Sequence, residues 1–428
     1  LHIRGSHDPE AKTYSLTVRQ SCPDTAGQKG FGAEKSKNDV HEKQTAPVEI
    51  QNSKQNANHS SQKQPFHIPL ALGLLAADGD TLPLKLTGCT AEKNQDTIIL
   101  ELRKQSETFV FENIPAAPVP SLLREFSAPV KLLFDYSIAD LAFLLANDTD
   151  EFNRWEAGQQ LMIRISLEQI QRFQNHGPFN LPSELGNAFR SLLNQTEKGD
   201  SALLALALSF PNEPYLGELM DVIDVDAIHE TRTFLRKELA QKLQPEFEKT
   251  YLEFQEESTF KIDQQSMGRR SLKNVCLGYL AELGSLEFRQ LAQIQFRKNA
   301  NMTDVAGALG VLTHQDCPER ETAFSEFENK WRKNTVVMDK WFAIQVSHAR
   351  PDQAAQVASD LTERPDFTMK NPNRFRSVFG AFAGHPAGFH QKDGSGYRLL
   401  ADWLIKLDPI NPQITARMSG AFETWKRY

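Results

Sequence analysis

The sequence has no uninterrupted apolar run of ~18 residues, the length at which a membrane-crossing helix is read. Its most apolar short stretch, Ser201 to Phe210 (SALLALALSF), is too short to span a bilayer and reads as a buried helix. Cysteine is scarce. The four thiols Cys22, Cys89, Cys276 and Cys317 form no C-x-x-C pair and have no regular spacing, which excludes a zinc ribbon and argues against a disulfide framework. A reducing, cytoplasmic compartment is expected. Basic charge is not in excess either: a formal net charge of −7 and a pI near 5.9 disfavour a general nucleic-acid binder, whose phosphate contacts need clustered Lys and Arg. The lone Gly-x-Gly at Gly394 and Gly396 lacks the preceding strand that a phosphate loop requires.

What is present is ample. At 428 residues the chain can build two or three domains and a sizeable core. It opens on Leu1 rather than Met, which predicts a portion of a longer product. Residues 13–19 (TYSLTVR) alternate like a half-buried strand. From Ser21 to Gln64 the pattern stops: Lys, Gln, Asn and Ser dominate, and Phe31, Val40, Val48 and Ile50 are the few large apolar residues, so a mobile, disordered insert is predicted. Strand signals resume over 66–75, pass an Asp78-Gly79-Asp80 turn, and continue through 82–86, 97–102 and 108–111. Residues 118–134 supply one or two closing strands. Short strands separated by turn residues predict a small β-sandwich domain over 1–135.

From Ser137 the hydrophobic period changes from two to about 3.6. Ile138, Leu141, Leu144 and Leu145 form one stripe, and a long helix with Phe152, Trp155 and Met162 starts after Asp148 and Asp150. Further helices are predicted at 184–195, 225–243, 268–283, 285–298, 320–333, 336–348 and 352–363, with turns at Gly177-Pro178, Pro211, Pro318 and Pro351. Helical hairpins that cannot bury a face alone stack into a curved array, so an all-α superhelical domain is predicted over 136–428. Trp155, Trp331, Trp341 and Trp403 lie in these helical patterns and are assigned to packing.

The stretch from Phe367 to Arg417 contains two Asn-Pro helix starts, Asn371-Pro372 and Asn411-Pro412, each followed about a turn later by arginine. Asparagine at the N-cap and proline at N1 fix where a helix begins. Counting from those caps, Arg376 falls early in the first helix, and Gln413 and Arg417 stand one turn apart on one face of the second. Three polar groups so placed can converge; the other reading is of solvated charges near helix ends.

The wording of the chain carries further information. NPNRFRSVFGAFA, FHQKDGSGY and NPQITAR near its end, with FNRWEAGQ (152–159), DVIDVDAIHETR (221–232), NANMTDVAGALG (299–310) and VVMDKWFAIQ (336–345), resemble bacterial aminopeptidase N, a gluzincin metallo-aminopeptidase family. The resemblance covers everything but the first dozen residues and the 21–64 insert, which departs from the family's short loop. It implies a fibronectin-like β-domain followed by the C-terminal helical domain, with the chain cut at both ends. It implies a parent that uses zinc to remove N-terminal residues from peptides. By match of motif it assigns Arg376, Gln413 and Arg417 to the enclosed cavity, the glutamine near the specificity pocket and the arginines facing bound peptide.

Such a peptidase needs H-E-x-x-H, two histidines binding zinc with a glutamate activating water. Here His41-Glu42 is followed at that spacing by Thr45, and His229-Glu230 by Thr233. The G-x-M-E-N loop that would hold a substrate amine is missing as well. His385, His390 and Asp393 lie close in sequence, but five residues around a Pro-Ala-Gly turn do not put two histidines on one helical face. No catalytic residue and no metal ligand is therefore assigned, and the chain is expected to be inactive alone. The expected partners are a peptide substrate and the parent's N-terminal and catalytic domains, with neither nucleic acid nor membrane. The alternative is a stand-alone helical-repeat module that binds a protein partner.

Overall fold

The computed structural model describes residues 1–32, 61–88, 96–196, 199–255, 260–298 and 300–428. Residues 33–60, with His41, Val40, Val48 and Ile50, lie outside the described residues, as do Cys89 and Asn299. The chain forms two compact units, 1–161 and 162–428.

In the first unit the strands are β1 His2–Asp8, β2 Thr13–Arg19, β3 Gln28–Lys29, β4 Ser61–Gln62, β5 Ile68–Leu75, β6 Ile98–Leu102, β7 Ser106–Glu112 and β8 Val119–Leu122. Two antiparallel three-stranded sheets, β1-β2-β7 and β6-β5-β8, make the expected sandwich. Strand β2 alternates as its sequence predicts, with Tyr14, Leu16 and Val18 buried. Strand β5 is the central strand of its sheet, and every residue from Leu70 to Leu75 is buried. At the Asp78-Gly79-Asp80 turn Gly79 takes φ +94, a conformation glycine adopts without steric cost.

Three expectations differ in detail. Strand β1, HIRGSHD, carries no apolar alternation and is held by its register with β2. Residues 82–86 form no continuous strand: Thr81 bridges Leu75 and Leu86 bridges Phe111, while Pro83 between them has no N–H to donate. Both ends of the 21–64 segment are ordered. Cys22 and Phe31 exchange two backbone hydrogen bonds, β3 pairs with β4 in parallel, and Phe31 is buried with its ring 6.3 Å from that of Phe66. One aromatic anchor supplies the burial that the surrounding polar sequence lacks.

After β8 the chain turns sharply, with left-handed φ at Leu123, Glu125 and Phe126. The turn sends Arg124 inward, where it pairs with Asp148 at 2.8 Å and also donates to Ser121 Oγ and Thr97 Oγ1. Both members of the pair are buried. Asp148 closes helix α1 (Ile138–Asn147), and Asn153 of α2 (Glu151–Gln174) donates to Ser121 Oγ and the Leu122 carbonyl. Those bonds tie the end of α1 and the start of α2 to β8 and the turn after it.

The second unit continues with α3 Ser183–Leu193, α4 Ser201–Ala207, α5 Glu213–Glu218, α6 Val225–Lys242, α7 Gln244–Glu253, α8 Gln264–Ala281 and α9 Leu286–Lys298. Then come α10 Met302–Thr313, α11 Pro318–Trp331, α12 Thr335–Ser347 and α13 Ala354–Thr362. The last helices are α14 Pro372–Phe375, α15 Ala381–Ala383, α16 Pro386–Phe389, α17 Ser395–Leu407 and α18 Pro412–Ser419, with a π-turn at Arg376–Gly380 joining α14 to α15. Caps fix the starts. Asp200, Asn212, Asp224, Asp263, Asn301 and Asn334 each accept a backbone N–H from the first turn. Pro318, expected in a turn, is the first residue of α11, where its missing N–H costs nothing.

Consecutive helices stack: α7 and α10 both pack on α8, α9 on α10, α11 and α13 on α12. Tyr279 lies at the centre, stacked on Phe247 at 4.5 Å and donating to the Leu208 carbonyl. A buried polar network joins α8, α9 and α10. Lys273 Nζ meets Asp304 Oδ2 at 2.5 Å, Asn274 and Asn301 donate to the same carboxylate, and Gln295 bridges Asn274 to Tyr251. No helix among the described residues is long and apolar enough to cross a membrane.

Candidate functional site

Asn371 caps α14 as its sequence predicts, accepting from the N–H groups of Asn373 and Arg374, with Pro372 in the first turn. The two arginines that follow part company. Arg374 turns inward: its Nε donates to Asp339 at 2.7 Å, Nη1 donates to the Asp366 carbonyl, and its guanidinium covers the Phe342 ring at 4.2 Å. Arg374 thus pins α14 to α12, a role its sequence position did not reveal. Arg376 stays exposed and folds back on its own helix, donating to the Pro372 carbonyl and to Asn373 Oδ1. That leash limits its rotamers while leaving the guanidinium at the surface.

Asn411 caps α18 by accepting from the Ile414 N–H at 3.1 Å, again with proline in the first turn. Gln413 and Arg417 are exposed one turn apart, on a helix that has no buried residue and packs on α17. The structure therefore brings Gln413 and Arg417 together on one face. It carries Arg376 on a separate element, packed on α12, and no hydrogen bond or ion pair among the described residues joins Arg376 to the other two.

The histidines that invite a metal assignment have other work. His385 is buried and caps α16, its Nδ1 accepting from the Gly388 N–H while Nε2 donates to the Ala349 carbonyl. With both nitrogens engaged it has none left for a metal. His390 contacts Tyr397 Oη through Nδ1 at 2.7 Å and stacks on Tyr428, and burial pushes its pKa down to about 4. Asp393 accepts from the Ser395 N–H at the entrance to α17. Among the described residues no three His, Cys, Asp or Glu side chains stand where they could hold one ion, and the sequence contains no H-E-x-x-H. These residues do not fit a catalytic zinc.

His229, the other half-motif, faces a carboxylate. Its Nδ1 lies 2.9 Å from Glu213 Oε1, and Arg232 Nη1 approaches the same oxygen at 3.5 Å. The hydrogen bond to Glu213 raises the His229 pKa against the opposing effect of burial. Burial works against ionisation of Glu213, yet His229 and Arg232 together hold its pKa below the ordinary value. The only hint in the sequence is the i, i+3 spacing of His229 and Arg232, because Glu213 arrives from a different helix.

Comparison with known proteins fits this architecture. Residues 138–428 match the family described as a domain of unknown function (DUF3458_C) with ARM repeats, and residues 35–135 match its companion (DUF3458), described as an Ig-like fold. Over its whole length the chain is 35% identical to aminopeptidase N of Escherichia coli (strain K12) and covers 44% of that protein. Its identity to aminopeptidase N of Haemophilus influenzae is 34%, with the same coverage of both chains. Aminopeptidase N of Caulobacter vibrioides is 37% identical over 84% of the chain and 40% of the relative. Among solved structures, Legionella pneumophila aminopeptidase A in complex with aspartic acid superposes with a TM-score of 0.74 at 26% identity, over all of this chain and 44% of that one. The chain spans less than half the length of the curated relatives it matches. On these matches the chain belongs to the DUF3458_C family of ARM-repeat domains, and its whole length is homologous to part of bacterial aminopeptidase N.

Proposed function

We propose that the chain is the C-terminal portion of a cytosolic, zinc-dependent aminopeptidase, with a β-domain over 1–135 and a helical domain over 136–428. In this reading it encloses the active-site cavity of the parent and tunes which peptides enter, and it is inactive alone. Arg376, Gln413 and Arg417 contact bound peptide. The observation that carries the reading is the state of α18, which presents Gln413 and Arg417 on a helix with no buried residue, in a chain homologous throughout to part of aminopeptidase N. A guanidinium in a closed cavity binds a peptide carbonyl or carboxylate through paired N–H groups more strongly than at open surface, and an amide can both donate and accept. The free thiols of Cys22, Cys276 and Cys317 support a reducing compartment.

The test is Arg417→Ala in the full-length enzyme, comparing hydrolysis of a peptide with that of a single-residue arylamide. A loss of peptide binding larger than the loss on the arylamide is expected. Equal loss on both substrates would make Arg417 a structural residue and remove it from the site.

A further inference from the structure

The helices of the second unit do more than stack in a row. Helix α6 packs on α8, α8 on α10, α10 on α12, α12 on α13, α13 on α16, and α16 returns to α6, so the array closes into a circuit. Ala387 of α16 sits in one core cluster with Val225, Ala227 and Ile228 of α6, which packs the closure, and Lys392 pairs with Asp226 at 3.0 Å on its exposed rim. Toward its interior, polar groups from separate helices act on one another. Arg236 of α6 pairs with Glu282 at 2.7 Å, and the His314 and His348 rings, from the ends of α10 and α12, stand 5.6 Å apart. His314 is exposed, yet protein surrounding it pushes its pKa down to about 4, as expected of a group on a concave wall.

One member of this set is conspicuously short of partners. Arg232 has a side chain only 20% exposed, and its one ion-pair contact among the described residues is the Glu213 oxygen at 3.5 Å, longer than a good hydrogen bond, with Glu282 acting on it from farther away. Its Nε is buried with no acceptor. A guanidinium carries five N–H donors, and leaving them unmet in a partly buried place is costly. Its neighbours on the same helical face, His229 and Arg236, are also basic, and each is already engaged with a carboxylate. The facing charges are then three carboxylates (Glu213, Glu230, Glu282), two guanidiniums and the imidazoles of His229, His314, His348 and His385, so the set loses its net negative charge when His229 is protonated.

We propose that Arg232, backed by His229, is the anchor of a carboxylate-binding site inside the helical circuit. The ligand chemistry is a single carboxylate reaching the open edge of the guanidinium, from either a free amino acid or the C-terminus of a short peptide. The site does not rest on the roles proposed for Arg376, Gln413 and Arg417, so either reading can fail without the other.

The test is calorimetric titration of the purified chain with L-alanine, with trialanine and with trialanine amide. Binding of alanine alone identifies a free amino acid as the source, and binding of trialanine but not its amide identifies a peptide terminus; either supports the site. Arg232→Gln, with helical content checked by circular dichroism, is expected to weaken the binding by about tenfold or more. Glu213→Gln removes the competing carboxylate and is expected to tighten it, which decides the matter if Arg232→Gln fails to fold. No binding by either carboxylate, equal binding of the amide, or weaker binding in Glu213→Gln would overturn the proposal.

Discussion

Replacing Asp304 by leucine should destabilise the helical unit more than replacing its partner Lys273 by methionine. The two side chains are 4% and 3% exposed and 2.5 Å apart, so removing either strands a buried charge. What remains differs. Without Asp304 the Lys273 ammonium has no other hydrogen-bond partner among the described residues, and an uncompensated buried charge costs about 3–5 kcal/mol. Without Lys273 the carboxylate still receives the amide groups of Asn274 and Asn301, so the cost falls to about 1–3 kcal/mol, that of a lost charged hydrogen bond. The double variant removes both charges and should be more stable than Asp304→Leu alone. The assay is urea unfolding followed by far-ultraviolet circular dichroism. Each kcal/mol should also appear as roughly 2–4 °C in the melting temperature of a unit this size. Equal losses for the two single variants, or a double variant as unstable as their sum, would refute the reasoning.

The Glu213–His229 pair has a defined pH window. His229 titrates above its ordinary 6.5, so its contribution to stability is complete below that value and is lost as pH rises through the raised one. Glu213 titrates below its ordinary 4.5, so its contribution is present above that value and is lost as pH falls through the depressed one. The pair is therefore worth most between about pH 4.5 and 6.5, and Glu213→Gln should lower the His229 pKa in an NMR titration; an unchanged value would contradict the pairing. His390 behaves oppositely. With its pKa pushed down to about 4, it should stay neutral in the folded chain at pH 5 and cost stability as pH falls from its ordinary 6.5 toward 4, and an imidazole signal that titrates near 6.5 would disprove its burial. Of the described thiols, Cys22 should react with a disulfide reagent in the native protein, whereas buried Cys276, its pKa raised by desolvation, should react only on unfolding; reversed rates would contradict the packing of α8.

Much of the architecture is legible in the sequence because it is written locally. Asn371-Pro372 and Asn411-Pro412 mark their helix starts to the residue, and the alternation of TYSLTVR gives β2 its full length. What escapes is what depends on distant partners. Strand β1 is held by distant partners, its register with β2 and its backbone bonds to Leu133, and the ordered ends of the 21–64 segment depend on Phe31 finding Phe66. Leu206, in the stretch read as a buried helix, is 52% exposed because only one side of α4 faces α8. The candidate site divides the same way. Cap spacing puts Gln413 and Arg417 on one face, but nothing local shows that Arg374 rather than Arg376 is the inward arginine, since that depends on Asp339 and Phe342 from α12. Nor can any spacing show that Arg232 will meet Glu213 or that the helices close into a circuit.

The most direct measurement is zinc content and alanyl- or leucyl-arylamide hydrolysis of the purified chain, alone and mixed with a separately expressed aminopeptidase N catalytic domain. The chain alone should hold no stoichiometric zinc and cleave nothing, and activity should appear or improve on mixing. Hydrolysis by the isolated chain, or a catalytic domain whose activity and association are unmoved by it, would contradict the assignment of this chain as the access and specificity portion of a peptidase.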